Sequence, residues 1–227
     1  MRTIAAAAFA VLIFGCASTT TKPGSGAHLS AAQEQVAAAQ QEKEAAEHRS
    51  HYDPSAKQAK EVCTPGGAGH GEFGECWTNA VNPTATQIDQ AREHERVAAQ
   101  RRASSKTLMA AEVRACAGLA DYDRDISPFS HKDDILSVSL LQKGAIVVFK
   151  PVPTLTAEHL QKIIDCHIAR NDALGHNVPE MSYCPLVPRD VSAKVTPTGE
   201  GFSVTILSTD SDAAREVRLR AQALTSR

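Results

Sequence analysis

Two long stretches without glycine or proline set the strongest limit on what this chain of 227 residues can fold into. The first runs from Leu29 to Arg49 and consists mainly of Ala, Gln and Glu, and the second follows Thr84 and continues to about Cys116. These residue types are strong helix formers. We therefore predict one helix that begins after Ser30, and a second helix that is roughly 50 Å long.

The apolar stripe of the second helix is thin, and Glu95 and Arg102 interrupt it. Its members are mostly small or flexible: Ile88, Ala91, Ala98, Leu108, Met109 and Val113. Because propensity alone stabilises an isolated helix little, both helices must pack against something. Small side chains allow close approach, so we predict an antiparallel helical hairpin over residues 30–118, folded about the glycine-rich segment between the helices. A short helix from Pro54 to Val62 should precede that segment.

The rest of the chain, residues 119–227, has a different pattern. The apolar, partly β-branched runs Ile135–Leu141 and Ala145–Phe149 flank a turn that contains Gly144. This arrangement is typical of a β-hairpin. A helix capped by Thr156 should follow the hairpin.

The same order of elements recurs further along the chain. Strands are predicted at 191–196 and 202–207, and Asp210 caps the helix that follows them. The two strand–strand–helix units, 134–174 and 190–225, indicate an internal duplication. They predict an α+β fold in which a four-stranded antiparallel sheet carries two helices on one face.

The start of the chain carries a targeting signal. An apolar run begins at Ile4, follows the basic Arg2 and ends at Cys16. It is too short to span a bilayer, which needs about 20 apolar residues, and it fits a secretory signal peptide. Its last four residues, Ile13-Phe14-Gly15-Cys16, resemble the lipobox of bacterial lipoproteins.

The resemblance to lipoproteins implies cleavage after residue 15, a covalent lipid on Cys16 and a membrane anchor, with the rest of the chain outside the cytoplasm. Ala17 follows Cys16 where inner-membrane lipoproteins often carry Asp, so the resemblance favours the outer membrane, either facing the periplasm or exposed at the cell surface. Residues 16–29 are small and polar, and we expect a flexible tether there. The formal net charge of −2 is too balanced to indicate a nucleic-acid partner.

The other cysteines are disulfide candidates if the chain enters an oxidising envelope. Cys63 and Cys76 bracket the glycine-rich segment, so we predict a disulfide between them. We pair Cys166 with Cys184 and leave Cys116 as the odd thiol. Bridges from Cys116 to Cys166 or to Cys184 stay open as alternatives, and they would join the two halves of the molecule.

A rival interpretation treats part of the Cys and His set as metal ligands. Zinc and copper prefer these side chains, and Cys116, His131, Cys166 and His167 could form a site if the fold brings them together. Neighbouring residues on a helix point about 100° apart, so Cys166 and His167 are a poor chelating pair. We therefore expect no cofactor besides the lipid, and we keep a periplasmic zinc- or copper-binding lipoprotein as the alternative.

No catalytic motif stands out in the sequence. The glycine-rich segment lacks the Lys-Ser/Thr ending of a P-loop, and no Gly-x-Ser-x-Gly motif is present. We predict a structural or protein-binding module rather than an enzyme. The helical arm is the expected contact surface for another envelope protein or for a second copy of the chain, through Trp77, Leu108 and Met109.

Overall fold

The computed structural model describes residues 29–63 and 76–225 of the chain. Cys16, the predicted signal peptide and nearly all of the predicted tether lie outside the described residues, as does the segment 64–75. Within the described residues, the chain forms a helical hairpin followed by an α+β domain, and the predicted fold class is confirmed.

The hairpin consists of α1 (Ala31–Ser50) and α2 (Ala85–Ala115), which pack along their length. Small residues repeat every seventh position along the buried seam: Ala31, Ala38 and Ala45 on α1, and Ala91, Ala98 and Ser105 on α2. The register is antiparallel, since the Ser105 hydroxyl in the second half of α2 donates to the Ala31 carbonyl at the start of α1, at 2.8 Å. Small side chains thus place the two helix backbones close together.

Polar pairs with the same seven-residue step flank this seam. On one side, Arg101 binds Glu34 at 3.1 Å and His94 Nδ1 lies 2.9 Å from Gln41 Oε1. One step further, His48 Nδ1 lies 2.8 Å from Gln87 Oε1. Two ion pairs line the other side: Arg102 with Glu42, and Arg49 with Glu95. The ion pairs on this second side are exposed, and exposed ion pairs stabilise a fold little. The matching seven-residue step of both rows fixes the register.

A two-stranded antiparallel ribbon joins the helices, built from β1 (Gln58–Cys63) and β2 (Cys76–Val81). The predicted helix from Pro54 to Val62 is therefore wrong. That segment has good helix formers, but its residues pair instead with a strand that lies beyond the glycine-rich segment. The predicted Cys63–Cys76 disulfide is confirmed, and it closes the ribbon where the two cysteines face each other.

The α+β domain contains one antiparallel sheet with strand order β3-β4-β6-β5. The strands are β3 (Ile135–Leu141), β4 (Gly144–Phe149), β5 (Val191–Thr198) and β6 (Gly201–Ser208). The second strand of each unit lies at the centre, which makes the order palindromic. Gly144 has φ 158°, and a Cβ there would lie 1.9 Å from the Ile206 carbonyl oxygen, so only glycine fits this close approach.

One face of the sheet carries the core, and no described element covers the other face. α4 (Ala157–Ala173) and α5 (Ser211–Ala223) contribute Leu160, Ile164, Val217 and Ala221 to a common core with the inward residues of the central strands. Those inward residues are Ala145, Val147, Phe149, Phe202, Val204 and Ile206. The predicted sheet with two helices is confirmed.

The two units differ in their connections. The short helix α3 (Asp121–Asp125) and single turns at Pro128–Ser130 and Lys132–Asp134 precede β3. The segment between α4 and β5 contributes buried residues to the core, and side chains of α4 and α5 form hydrogen bonds to its backbone. Asn171 donates to the Leu186 carbonyl at 3.1 Å, and Arg220 donates to the Cys184 carbonyl at 3.2 Å.

A second disulfide joins the hairpin to the α+β domain. Cys116, directly after α2, bonds to Cys166 in α4. The predicted Cys166–Cys184 pair is therefore wrong, and the alternative from Cys116 is the one observed. Cys184 is a buried free thiol whose sulfur lies 3.2 Å from the Ser127 hydroxyl, so it lies in the core instead of at the junction.

A close backbone contact also joins the start of the hairpin to the α+β domain. Ser30, which caps α1, packs against Gly175, which lies two residues after the end of α4. An added Cβ on Gly175 would lie 2.7 Å from the Ser30 nitrogen. The approach of the two segments therefore requires glycine at this position.

The alanine seam gives a direct test of the hairpin. Ala38 is completely buried and its neighbour Ala39 is exposed. We expect Ala38→Leu to lower the free energy of unfolding by about 1–3 kcal/mol, because the larger side chain separates the helices. The matched Ala39→Leu variant should change it by less than about 0.5 kcal/mol. Chemical denaturation followed by circular dichroism measures both, and equal effects would contradict the seam.

Candidate functional site

A cleft with a volume of about 390 Å³ opens beside the N-terminal half of α4. Its walls come from the segment that contains α3, from the connection between β4 and α4, and from α4 itself. We call this cavity the cleft. Its lining residues are Tyr122, Asp123, Ile126, Pro128, His131, Asp134, Phe149, Val152, Pro153, Thr154, Leu155, His159, Leu160 and Ile163.

The floor of the cleft is apolar and belongs to the domain core. Leu160 and Ile163 lie one helical turn apart on α4, and both are buried. Phe149, at the end of β4, is also buried and packs edge to face against Phe129 with ring centroids 5.4 Å apart. Because these side chains are fixed by the core, the floor is present before any ligand binds.

The rim of the cleft is polar, and its groups occur in pairs. The Tyr122 hydroxyl lies 3.1 Å from His131 Nε2. On the α4 side, His159 Nε2 lies 3.2 Å from Asp123 Oδ2. Since Tyr122 and Asp123 both come from α3, this short helix positions one member of each pair. The rim can therefore donate and accept hydrogen bonds around an apolar floor.

A strained residue lies at the mouth of the cleft. Thr154 has φ 69°, a left-handed conformation that β-branched residues rarely adopt. It follows Pro153, and the turn around it is closed by a hydrogen bond of 3.2 Å from the Leu155 amide to the Val152 carbonyl. Such strain persists where the surroundings fix the backbone, and it is concentrated at binding sites.

His167 supports the cleft wall from behind. It is fully buried, and its Nε2 lies 3.2 Å from the carbonyl oxygens of both Asp123 and Ile126. Nδ1 is buried and has no hydrogen-bond partner among the described residues. Burial lowers the pKa of His167 below its ordinary value, and the two carbonyls oppose this shift. A neutral ring with its proton on Nε2 accounts for this arrangement, and it holds α3 and the residues after it against α4.

The predicted metal set is not assembled as a site. The sulfurs of Cys116 and Cys166 are bonded to each other and are not thiolates. His167 faces backbone carbonyls, and His131 contacts Tyr122. Another group of three candidate ligands, Glu61 with the two ribbon cysteines, contains the other disulfide and offers no thiolate either.

The predicted partner-contact residues lie in three separate places. Trp77 is on β2 and its side chain is 45% exposed. Met109 is exposed on α2 near Val113, and its sulfur accepts a hydrogen bond of 3.9 Å from Gln35 Nε2 of α1. Leu108 is half-buried in a groove between the hairpin and the α+β domain. These three residues therefore do not form one surface.

Local sequence patterns do not predict the cleft. They single out His131 only as a metal ligand, and its partner Tyr122 lies in a segment without periodicity. Asp123, which binds His159 across the cleft, lies in that same segment without periodicity. The one local signal is Pro151-Val152-Pro153, which ends β4 and forces a long connection to α4.

Comparison with protein-family models, with curated proteins and with solved structures found no match. Among the described residues, no helix is both long enough and apolar enough to cross a membrane.

The buried His167 predicts a pH dependence of stability. Its folded pKa lies below the ordinary value of 6.5, so below pH 6.5 the unfolded chain takes up a proton that the folded chain does not. We expect the free energy of unfolding to fall as the pH drops from about 7 to about 5. In His167→Gln this fall should be smaller, whereas the exposed control His51→Gln should keep the wild-type slope. Urea titrations at several pH values measure it, and equal slopes in all three proteins would contradict the assignment.

Proposed function

We propose that this chain is a lipid-anchored binding module of the bacterial cell envelope, and that its α+β domain takes an apolar group of a partner molecule into the cleft. The observation that carries the proposal is the cleft itself, with a preformed apolar floor and a rim of paired polar side chains. The partner we favour is another envelope protein.

The size of the cleft supports recognition of a small group. Ligand sites in proteins usually have volumes of about 300–1,000 Å³, with mostly apolar walls and few polar groups. The cleft falls at the lower end of this range. An aromatic or branched aliphatic side chain on an extended partner segment fits that description. The carboxylates of Asp123 and Asp134 would then accept hydrogen bonds from the donors beside that side chain.

The chemistry of the rim supports binding over catalysis. Covalent catalysis needs a nucleophile within hydrogen-bond reach of a base. The lining residues include neither Ser nor Cys, and the one aliphatic hydroxyl among them, on Thr154, makes no hydrogen bond to a base among the described residues. Tyr122 pairs with His131 and Asp123 with His159, and no Ser, Thr or Cys side chain is hydrogen-bonded to either imidazole ring in the described part of the chain. These pairs orient polar groups at the mouth, as a recognition site requires.

The location rests on the lipoprotein resemblance at Cys16, and the disulfides support it. Structural disulfides persist in oxidising compartments and are rare in the cytosol. Here one disulfide closes the ribbon and the other joins the hairpin to the α+β domain. A metal-binding role receives less support, because both cysteines of the proposed ligand set are used in a disulfide.

The anchor can be tested in a bacterial host. We expect the wild-type chain to fractionate with the outer membrane and to carry an acyl-modified N-terminal cysteine. Cys16→Ser should remove the acyl mass and release the exported chain into the soluble periplasmic fraction, whereas Cys184→Ser should stay with the membrane. Intact-mass spectrometry and membrane fractionation measure these outcomes. A Cys16→Ser chain that stays in the outer membrane would contradict lipid anchoring.

The cleft can be tested with a purified chain and a neutral apolar dye, N-phenyl-1-naphthylamine. Val152→Trp places a large side chain into the cleft and should weaken dye binding about tenfold or more, which is at least roughly 1.4 kcal/mol. The matched Leu207→Trp variant, at an exposed position on the sheet, should bind the dye like the wild type. Fluorescence titration measures both, with thermal unfolding as the check on folding. Equal binding by both folded variants would exclude the cleft as the site.

A further inference from the structure

The β1–β2 ribbon is a small sheet without a covering layer among the described residues. None of its residues is buried, and only Val62 and Val81 are even half-buried. A two-stranded sheet is marginally stable in water at best, and a third strand or a packed face is needed for independent stability. The Cys63–Cys76 disulfide restrains the ribbon but covers neither its faces nor its edges.

The two edges of the ribbon differ in charge. Both strands are edge strands. The strand β1 carries Lys60 and Glu61 at its middle, whereas β2 has the sequence Cys-Trp-Thr-Asn-Ala-Val and carries no charge. Proteins commonly protect an edge strand with charged side chains, especially lysine. The sequence of β2 lacks this protection.

The larger sheet shows how this chain blocks an edge elsewhere. Along the edge strand β5, Gln161 accepts a hydrogen bond of 2.7 Å from the Val195 amide and donates one of 3.1 Å to the Ala193 carbonyl. These two bonds occupy backbone groups that could otherwise bind another strand. In β2, by contrast, no side chain of the described residues forms a hydrogen bond to the backbone of Thr78, Asn79 or Ala80.

The two larger apolar side chains of β2 lie on one face. Strand residues alternate between faces, so Trp77, Asn79 and Val81 share a face, and Val62 lies opposite Trp77 on β1. Trp77 is the only tryptophan in the chain and is 45% exposed. The ribbon thus has an apolar face beside an uncharged edge strand, as a strand inside a larger sheet would have.

We propose that two copies of this chain pair through β2 to form a four-stranded antiparallel sheet with strand order β1-β2-β2-β1, around a twofold axis that passes beside Asn79. A twofold axis normal to a sheet keeps each side chain on its own face, so a residue can only lie opposite itself or opposite a residue an even number of positions away. With the axis at Asn79, Trp77 of each copy lies opposite Val81 of the other. Aromatic side chains opposite β-branched ones are favourable cross-strand pairs.

The alternative self-pairings are poorer. An axis at Thr78 places Trp77 opposite Asn79 and removes the apolar pair. Pairing centred on the middle of β1 places Lys60 opposite Lys60 or Glu61 opposite Glu61 of the second copy, and like charges directly opposite each other are destabilising. Among these self-pairings, the sequence of the ribbon favours the β2 edge with the axis at Asn79.

The position of the ribbon permits this pairing. It lies at the start of α2, and the α+β domain is linked through Cys116 at the far end of that helix of 31 residues. This places the ribbon roughly 45 Å from the junction along the arm. Because the paired strands are antiparallel, the two arms leave the four-stranded sheet at opposite ends. The interface is independent of the cleft and of the proposed binding function.

A cysteine crosslink tests both the edge and the register. In a Cys16→Ser background, Asn79→Cys brings two thiols opposite each other, with Cα atoms about 4.5–5.5 Å apart, a separation that a disulfide can bridge. The matched control is Lys60→Cys, because Lys60 lies directly opposite Asn79 in the ribbon and is also exposed. Both substituted positions stand three residues from a cysteine of the Cys63–Cys76 disulfide, so exchange with it affects both alike.

We expect mild oxidation to convert Asn79→Cys largely into a covalent dimer, in which mass spectrometry identifies two copies of the same peptide linked through position 79. Lys60→Cys should remain mainly monomeric. Without crosslinking, sedimentation should show a monomer–dimer equilibrium whose dissociation constant rises about tenfold or more in Asn79→Lys and in Trp77→Ala. Crosslinking of Lys60→Cys at the same rate as Asn79→Cys would overturn the proposal. A chain that sediments as a monomer at all concentrations up to those of the crosslinking experiment would overturn it as well.

Discussion

The Cys116–Cys166 disulfide is the constraint on which the arrangement of the two halves depends. The buried hairpin seam contains only alanine and one serine, so the hairpin buries little apolar area of its own. Its helix α2 packs against α4 of the second domain, and the disulfide makes this contact covalent. The disulfide joins the end of α2 to the middle of α4, and α4 in turn belongs to the core of the α+β domain. The close contact of Ser30 with Gly175 adds a second attachment from the other helix. The arm is thereby fixed through both of its helices.

The same joint reaches the candidate site. Cys166 is adjacent to His167, which holds the carbonyls of Asp123 and Ile126 behind the cleft. The residues between Cys116 and α3 are few, so the disulfide also fixes where α3 begins. Tyr122 and Asp123 supply one partner to each rim pair from that helix. The position of the rim residues therefore depends in part on the oxidised junction.

The elements that depend on residue types close together in the chain could be predicted, whereas those that depend on contacts between distant residues could not. The two alanine-rich helices follow from propensity, and the repeated strand–strand–helix units follow from residue patterns and turn residues. The segment before Cys63 could not be predicted, because its strand exists through pairing with residues beyond the glycine-rich segment. The partner of Cys166 is mispredicted for a similar reason: Cys184 is closer in sequence, but the core places its thiol beside Ser127. The cleft could not be predicted because it forms where the segment 121–134, which has no periodic sequence pattern, packs against α4.

The palindromic strand order has a consequence for how this domain came to carry a cleft on one side. In the second unit, two residues separate β6 from α5, and in the first unit seven residues separate β4 from α4. The longer connection contains Pro153 and the strained Thr154, and it forms one wall of the cleft. If both units descend from one ancestral copy, the second unit preserves the compact form and the first has acquired a lengthened connection. On that hypothesis, one half of the domain keeps a short connection, and the other half carries the connection that forms a wall of the cleft.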